Sequence, residues 1–333
     1  FVMLEFSAVM ETVQVNAKKN NFSIGKLKEV EGTSIYSGKK TETIDVNNTS
    51  ANKATNNARQ VFAKIAGLNI WESDGAGIQL SIGGRGLNPN RVSNFNTRQN
   101  GYDISADALG YPESYYSPPT EAVERIEIVR GAASLQYGTQ FGGFLNFKLK
   151  KGAENRKFEL VSRQSFGSFN FFNSFNSVGG TLAKGKLNYY VFAQRKQGDG
   201  WRPNSQFHVN AGYAAVRYKF NEKFSVGAEY TFMDYLAHQP GGLTDAMFNK
   251  NPLQSIRARN WFAVNWNLAA LHADYNSSKN SLINFRAFGL IAGRDALGIL
   301  DQITRADEGG NRNLLTDDFK NVGAELRFLQ YYK

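Results

Sequence analysis

Residues 120–152 read TEAVERIEIVRGAASLQYGTQFGGFLNFKLKKG, and this stretch decides how the rest of the chain is interpreted. Its first part predicts a short strand at 124–129, with the two isoleucines on the inward side. A turn follows, and its glycines permit backbone conformations that other residues avoid. A second strand at 144–149 leads directly into a region of different character. The stretch therefore predicts the end of one domain and the entrance to another.

The region after residue 152 repeats one unit, a run of about ten to fifteen residues rich in Phe, Tyr and Val followed by a break. Within the runs apolar and polar residues alternate, as in FSVGAEYTF from Phe224 to Phe232. A period of two with one apolar face indicates strands. They are longer than the strands of most soluble sheets and fit a tilted bilayer crossing. The predicted strands are 157–166, 169–179, 186–196, 206–220, 223–235, 260–275, 281–293 and 321–331.

The breaks between these runs alternate in length, which is typical of bacterial outer-membrane barrels with short inner turns and long outer loops. A soluble β-sandwich has no reason to keep such alternation. The connection at 167–168 is the exception, because it is short where the scheme requires an outer loop. The short turns are 182–185, 221–222 and 276–280, and the long loops are 197–205, 236–259 and 294–320.

Composition narrows the class of protein. The chain has 39 Lys+Arg against 29 Asp+Glu and no Cys, which excludes disulfides and thiolate metal sites. No apolar run is long enough for a transmembrane helix. The residues from Phe1 show no charged n-region followed by an apolar h-region, so any signal peptide is expected either to have been removed or to lie outside this sequence. The basic residues are scattered through aromatic strands, which argues against a nucleic-acid partner.

The motif residues of 120–152 resemble the end of the plug domain of TonB-dependent outer-membrane receptors, where the pattern runs roughly ERIEVLRGP-S-LYG and then A-GGVINI. Ala132 replaces the usual proline and Phe141 the usual small residue. So long a match is more specific than a lone glycine motif. The matching positions are Glu124, Arg125, Ile126, Glu127, Arg130, Gly131, Ser134, Tyr137, Gly138, Gly142, Gly143 and Asn146.

Upstream segments extend the resemblance. Residues 57–71 (NARQVFAKIAGLNIW) are similar to the short-helix segment of the family, and 77–86 (GIQLSIGGRG) to its I-IRG segment. Residues 86–119, with GLNPN and GYPESYY, resemble more narrowly the ferric dicitrate receptors. Asn100 stands where those receptors have the Asp of an Asp-Gly turn, a tolerable change at a turn.

Residues 10–17 (METVQVNA) resemble the TonB box of the family, a segment that pairs as a strand with TonB in the periplasm. The box residues would be Glu11, Thr12, Val13, Gln14 and Val15. The resemblance implies TonB, with ExbB and ExbD, as partners. Read without the plug motifs downstream, the same residues are equally compatible with an ordinary strand.

The resemblance implies a mostly β fold, with an α/β plug domain inside an antiparallel transmembrane β-barrel. A barrel that holds a plug needs about 22 strands, whereas about 8 are predicted here. The chain is therefore expected to be a fragment: an N-terminal segment with the TonB box at 1–18, the plug at 19–152 and the first barrel strands at 153–333.

The family also implies where a ligand would bind, at the upper loops of the plug and the outer loops of the barrel. A guanidinium group suits a carboxylate or a chelate oxygen. Other residues are interpreted as structural, among them Arg85, Glu127 and Arg130, which are expected to tie plug to barrel. The candidate ligand residues are Arg91, Arg98, Gln99, Tyr115, Tyr116, Arg257 and Arg259, and the remaining structural ones are Gly131, Gly138, Gly142 and Gly143.

The function implied is TonB-dependent import of a ferric chelate, either ferric citrate or a siderophore, across the bacterial outer membrane. No catalytic motif is present, no enzyme is predicted, and the isolated His residues are given no metal. No cofactor is expected, since iron would enter as chelated substrate. The alternative is another cargo, namely cobalamin, a glycan or a peptide. Outer-membrane lipid would surround the barrel, and a surface lipoprotein would accompany a glycan importer.

Overall fold

A computed structural model of the chain describes residues 23–38, 40–72, 74–84, 86–107, 113–131, 136–138, 142–299 and 302–332. The first domain, whose last strand ends with residue 149, is built from short elements. They are β1 (Ile24–Gly25), β2 (Val30–Glu31), β3 (Ser34–Ile35), β4 (Lys40–Asp45), α1 (Ala58–Phe62), β5 (Leu68–Glu72), β6 (Leu80–Gly84), β7 (Phe95–Gln99), β8 (Tyr102–Asp103), β9 (Val123–Arg130) and β10 (Gly143–Leu149).

The sheet of the first domain has six strands in the order β1-β4-β9-β10-β7-β8. All neighbours are antiparallel except β10 and β7, which run parallel. The predicted strands at 124–129 and 144–149 are β9 and β10, and Ile126 and Ile128 are buried as expected. Two further hairpins, β2–β3 and β5–β6, complete the domain.

The second region is a single antiparallel meander of eight strands in chain order, here called the wall. A helix, α2 (Asp245–Lys250), lies in one of its long connections. The prediction of eight strands and of alternating connection lengths is confirmed. The strands are β11 (Glu159–Gly167), β12 (Phe171–Leu182), β13 (Leu187–Gly198), β14 (Phe207–Lys219), β15 (Phe224–His238), β16 (Trp261–Ser278), β17 (Ser281–Leu297) and β18 (Leu314–Gln330).

The last loop is shorter than predicted, because β17 continues to Leu297 and β18 begins at Leu314. The outward-facing residues of this part of β18 are Thr316, Asp318 and Lys320. Strands β17 and β18 stay hydrogen-bonded to each other beyond the apolar stretches from which they were predicted, so the Phe/Tyr/Val pattern is shorter than the strands themselves. The end of the wall with the long connections is called the long-loop end, and the other the short-turn end.

The wall has its faces arranged in the opposite way to a soluble sheet. On β18 the apolar side chains point outward, with Val322 91%, Leu326 72% and Phe328 62% exposed. The alternate residues Glu325 and Arg327 face the first domain and bond to it. So much exposed apolar surface is unfavourable in water but is required against lipid. Among the described residues, no helix is long and apolar enough to cross a membrane.

The first domain packs against the inner face of the wall. One apolar cluster joins Ile78 and Tyr116 of the domain to Phe175 and Trp266 of the wall. The ring of Tyr116 stacks on Trp266 with centroids 6.1 Å apart. Around this apolar contact the interface is polar, and the candidate functional side chains lie there.

Candidate functional site

Tyr115 marks the contact between the two domains at the long-loop end. Its ring lies between two guanidinium groups, with the Cζ of Arg91 at 5.3 Å and the Cζ of Arg294 at 5.2 Å from the centroid. The Tyr115 hydroxyl group donates to Glu113 Oε2 (2.9 Å) and accepts from Arg294 Nη1 (2.7 Å). Each guanidinium group also has a carboxylate, Glu113 for Arg91 and Asp317 for Arg294. Two cations, two carboxylates and one phenol thus join the domains.

The backbone around Arg91 explains how this side chain reaches the long-loop end. Arg91 and Val92 both have positive φ values, of 47° and 58°, in a short 3-10 turn. Such values are uncommon outside glycine and persist only when the surroundings hold them. Ser114 N–H donates to the carbonyl of Arg91 (3.3 Å). The Cζ of Arg91 lies 5.1 Å from the ring centroid of Phe262.

The loop before β6 forms a second contact near the same end, and sequence reasoning missed it. The carboxylate of Asp74 accepts from the N–H groups of Gly77 (2.8 Å) and Gln79 (3.4 Å) and from the Tyr235 hydroxyl group. Lys196 of β13 donates to the neighbouring carbonyl of Ala76. Burial raises the pKa of Asp74, opposed by the Tyr235 bond and the charge of Lys196. The sequence signal that could have indicated this contact is that Lys196 and Tyr235 are polar residues at inward-facing positions of long strands.

The β7–β8 hairpin docks its tip on the middle of the wall. Glu229 Oε2 accepts from Asn100 Nδ2 and from the Tyr102 hydroxyl group, both at 2.8 Å. Gln99 Nε2 donates to Thr231 Oγ1 (2.9 Å). Arg286 donates to the carbonyl of Gly101 at 3.0 Å, and any Cβ on that glycine would overlap the guanidinium group.

Arg98 lies in the buried strand β7 and reaches towards the short-turn end. Its guanidinium group donates to Asn96 Oδ1 (2.7 Å) and to the carbonyls of Gly101 (2.7 Å) and Tyr137 (3.1 Å). It also forms an ion pair with Glu325 of β18. These partners satisfy most of its donors, so its geometry is that of a bridge between the two domains.

The long loops are joined to one another by arginine side chains. Arg257 is buried and donates to the carbonyls of Gln302 (2.8 Å) and Arg305. Arg259 binds Asp307 with two hydrogen bonds, of 2.7 and 3.0 Å. The geometry connects the loop at 239–260 with the loop beyond Leu297, so these arginines order the long-loop end.

The predicted structural residues hold the first domain together. Glu127 accepts from Asn146 Nδ2 (2.6 Å) and from Arg125, and Arg130 pairs with Glu42 (2.8 Å) and the carbonyl of Ala66 (2.8 Å). The described contacts of Glu127 and Arg130 lie within the first domain, and their expected role in tying it to the barrel stays a prediction. Their neighbours in the sheet order are strands of the same domain, and the described bonds to the wall come from β3, β7, β8 and the loops.

The glycines of the motif allow backbone segments to approach closely. A Cβ on Gly142 would lie 2.6 Å from the carbonyl oxygen of Asn94, and one on Gly143 would overlap the carbonyl of Val129. Gly131, Gly138 and Gly143 have positive φ values. The remaining predicted residue of this group, Arg85, lies outside the described residues, as do the five residues of the predicted TonB box.

A comparison with protein families matches residues 37–144 to the TonB-dependent receptor plug domain. The chain contains a TonB-dependent receptor plug domain. The match ends at the motif stretch, and the wall begins after it, so the first domain is the plug. Members of this family are transport receptors of the bacterial outer membrane rather than enzymes, and the outward apolar face of the wall agrees with that location.

Solved structures share the arrangement of plug and wall. The ferric citrate transporter FecA in its unliganded form is 22% identical, with a TM-score of 0.73 over 90% of this chain and 45% of that one. BauA, the ferric preacinetobactin receptor of Acinetobacter baumannii, is 13% identical, with a TM-score of 0.74 over 94% and 47%. The copper transporter OprC is 12% identical, with a TM-score of 0.67 over 91% and 46%. The chain spans about half the length of these structures.

The predicted ligand residues are separated by the fold into three groups, and their role in binding stays a prediction. Arg91 and Tyr115 lie together at the long-loop end, and Arg257 and Arg259 join the loops there. Arg98, Gln99 and Tyr116 are buried at the contact between plug and wall. Among the described residues, no group of three or more His, Asp or Glu side chains is arranged to hold a metal ion.

Proposed function

We propose that the chain is the plug and the first barrel strands of a receptor that imports a ferric chelate across the outer membrane, driven by TonB with ExbB and ExbD. The boundaries belong to the same proposal: 1–18 with the TonB box, 19–152 for the plug and 153–333 for the strands. The protein has no energy source of its own in this scheme. Iron enters as chelated substrate, and no cofactor is required.

The observation that carries the proposal is the arrangement around Tyr115. Two guanidinium groups, one from the plug and one from the wall, flank a single phenol at the long-loop end. Ferric chelators of the citrate type present carboxylates, which a guanidinium fork binds with paired hydrogen bonds. An anionic chelate can therefore compete with Glu113 and Asp317 for Arg91 and Arg294. The GLNPN and GYPESYY segments and the likeness to a ferric citrate transporter favour the same cargo.

Binding of the cargo is tested with purified receptor in detergent and ferric citrate as the probe. Arg91→Gln is expected to weaken binding about tenfold, the effect of one charge-assisted hydrogen bond. Arg156→Gln is the matched control, since Arg156 is an exposed arginine paired with Glu159 beside the start of the wall. Equal affinity of both variants and the unchanged receptor would remove Arg91 from the site.

Transport is tested separately in proteoliposomes and in cells. Uptake of the ferric chelate should require TonB and the proton gradient. Uptake in the absence of both would contradict the proposed mechanism. A copper transporter shares this fold, so cargo is tested by competition. Cobalamin, a glycan or a peptide binding in place of ferric citrate would select the alternative. A glycan cargo would also predict a surface lipoprotein that co-purifies with the receptor.

A further inference from the structure

Residues 23–36, here called the clamped segment, are attached to the plug through a small apolar cluster of their own. Leu27 and Tyr36 of the segment pack with Val129, Tyr137 and Phe144 from the end of the plug. The main core cluster of the plug and wall includes none of these five side chains. Ile24, at the start of the segment, is partly buried and packs against the main core, so the segment can separate by losing this one contact while the buried residues of that core stay together.

Polar contacts reinforce this small cluster at two neighbouring positions. The hydroxyl groups of Tyr36 and Tyr137 lie 2.5 Å apart, and the Tyr137 hydroxyl group donates to Ser34 Oγ (2.6 Å). The Gln136 side chain accepts from the N–H of Ile35 (3.4 Å) and donates to its carbonyl (3.1 Å), as a neighbouring strand would. Burial raises the pKa of Tyr36, so its hydroxyl group keeps its proton.

The other attachments of the clamped segment are short. β1 has two residues and pairs with β4, which leaves it at the edge of the plug sheet. Leu27 N–H donates to Thr41 Oγ1 at 3.2 Å. A strand of two paired residues at a sheet edge opens easily, because each backbone hydrogen bond contributes only a little net free energy to its stability. Detachment must also break a partly exposed ion pair of Glu31 with Arg125 (2.5 Å) and the bond from Asp45 N–H to the Ser23 carbonyl (2.7 Å). The contacts of Tyr36 and Ile35 with Tyr137 and Gln136 are the ones that hold the segment's own apolar cluster together.

Tyr137 also touches the bridge between plug and wall. Its ring lies 5.2 Å from the Cζ of Arg98 and 4.4 Å from the Cζ of Arg327, and it stacks on Phe144 with centroids 4.0 Å apart. Glu325 pairs with both guanidinium groups. Arg327 Nη1 reaches Ser34 Oγ at 3.3 Å. One aromatic ring thus contacts the clamped segment, strand β7 of the plug and strand β18 of the wall.

We propose that Tyr137 is the release point of the plug, which holds the clamped segment through Tyr36 and supports the Arg98–Glu325 bridge with the same ring. Tension on the chain before residue 23 loads the clamped segment first. Its departure exposes Tyr137 to water on one side and weakens the cation–π contacts that position Arg98. The segment is then the first part to leave, and β7 is the next part to loosen. The physiological meaning of this order rests on the proposed import by TonB.

The test is amide hydrogen exchange of the whole receptor in detergent, where neither TonB nor a gradient is present. Tyr36→Phe should raise exchange of residues 24–36 about fivefold, the change expected from one hydrogen bond, and leave β7 (95–99) as it was. Tyr137→Leu, which removes the hydroxyl group and the ring, should raise exchange in both stretches. The double variant should match Tyr137→Leu in residues 24–36, because both changes remove the same bond.

The matched control is Tyr213→Phe, which removes a hydroxyl group at another contact of plug and wall, with Asn100. It should leave residues 24–36 unchanged. If Tyr137→Leu does not fold, Tyr137→Phe replaces it and should raise exchange in 24–36 alone, since the ring remains. Unchanged exchange of 24–36 in Tyr36→Phe, or faster exchange of the whole plug in that variant, overturns the proposal. Failure of TonB-dependent uptake would instead contradict the proposed function and leave these rates untouched.

Discussion

Arg98 of β7 and Glu325 of β18 form an ion pair across 227 positions of the chain, and this pair bridges the plug and the wall. Arg98 also donates to Asn96 Oδ1 and to the carbonyls of Gly101 and Tyr137 inside the plug, so the guanidinium group is held in place where it meets Glu325. In the proposed import mechanism the plug is held at rest and moved by force from TonB, and such bonds suit that role because they are strong when paired and can exchange with water when broken.

Glu325→Gln and Arg98→Gln should each destabilise the plug by about 2 kcal/mol, because a hydrogen bond to a charged group contributes about 1.5–3 kcal/mol. Urea unfolding of the plug in the detergent-solubilised receptor measures this. The double variant should cost less than the sum of the two single variants. Strict additivity would mean that the pair contributes nothing.

The outward face of the wall is expected to contact lipid. Two side chains of similar exposure, one on this face and one in a long loop, should therefore respond differently to the same substitution. Leu271 in the middle of β16 is 59% exposed, and Phe248 of α2 in a long loop is 51% exposed. Leu271→Arg should destabilise the barrel by about 2–4 kcal/mol, the cost of an arginine near the bilayer midplane. Phe248→Arg should change it by less than about 0.5 kcal/mol, because that site meets water. Unfolding of the receptor from lipid vesicles compares them, and equal effects would contradict a lipid-facing wall.

Gly152 sits where the chain passes from plug to wall, against Gly180 and the carbonyl of Tyr189. A Cβ there would overlap both, and the Asn188 side chain bonds the N–H and carbonyl of Gly152 at 3.2 and 2.8 Å. Gly152→Ala should therefore destabilise this junction by about 1–3 kcal/mol through overpacking. Proteolysis between residues 149 and 159 should become faster. Gly212→Ala is the control, since its nearest atom would be 3.6 Å away, and it should be neutral.

Lys150 is the titratable group of this junction with the clearest shift. Burial, followed by the charges of Lys53 and Arg163, lowers its pKa to about 8, and its Nζ donates to the carbonyl of Glu121 (2.7 Å). The unfolded chain keeps the proton up to about pH 10.4. Between about pH 8 and 10 the unfolded state therefore binds more protons, so this group makes the fold more stable as pH rises.

The thermal stability of the receptor relative to Lys150→Gln should accordingly increase across that interval and stay constant below pH 7. The comparison with the variant removes the contribution of the tyrosines, which titrate in the same range. A difference that falls between pH 8 and 10 would mean that the ammonium group is stabilised, and the assigned direction would be wrong.

The sequence alone determined the elements that depend on local pattern. Alternation of period two predicted all eight wall strands, because each strand must present an apolar face to lipid and a polar one to the plug. The motif at 120–152 predicted β9, β10 and a turn whose glycines adopt conformations that other residues avoid, as Gly138 and Gly143 do with positive φ values. The close approach of Gly142 to Asn94 and of Gly143 to Val129 is seen only in the structure. The sequence did not predict the start of β18 at Leu314, because Thr316, Asp318 and Lys320 interrupt the apolar pattern although strand pairing continues through them.

The tertiary structure alone decided which charges meet. Nothing local distinguishes Arg98, buried against Glu325, from Arg91, which shares Tyr115 with Arg294 at the long-loop end. The same holds for Tyr36 and Tyr137, which are 101 positions apart and meet through one hydrogen bond. Such pairs depend on how the plug is seated against the wall, and long-range seating leaves no periodic signal in the chain. The sequence therefore determined the class of protein and its strands, whereas the packing of plug on wall selected the residues that hold it shut.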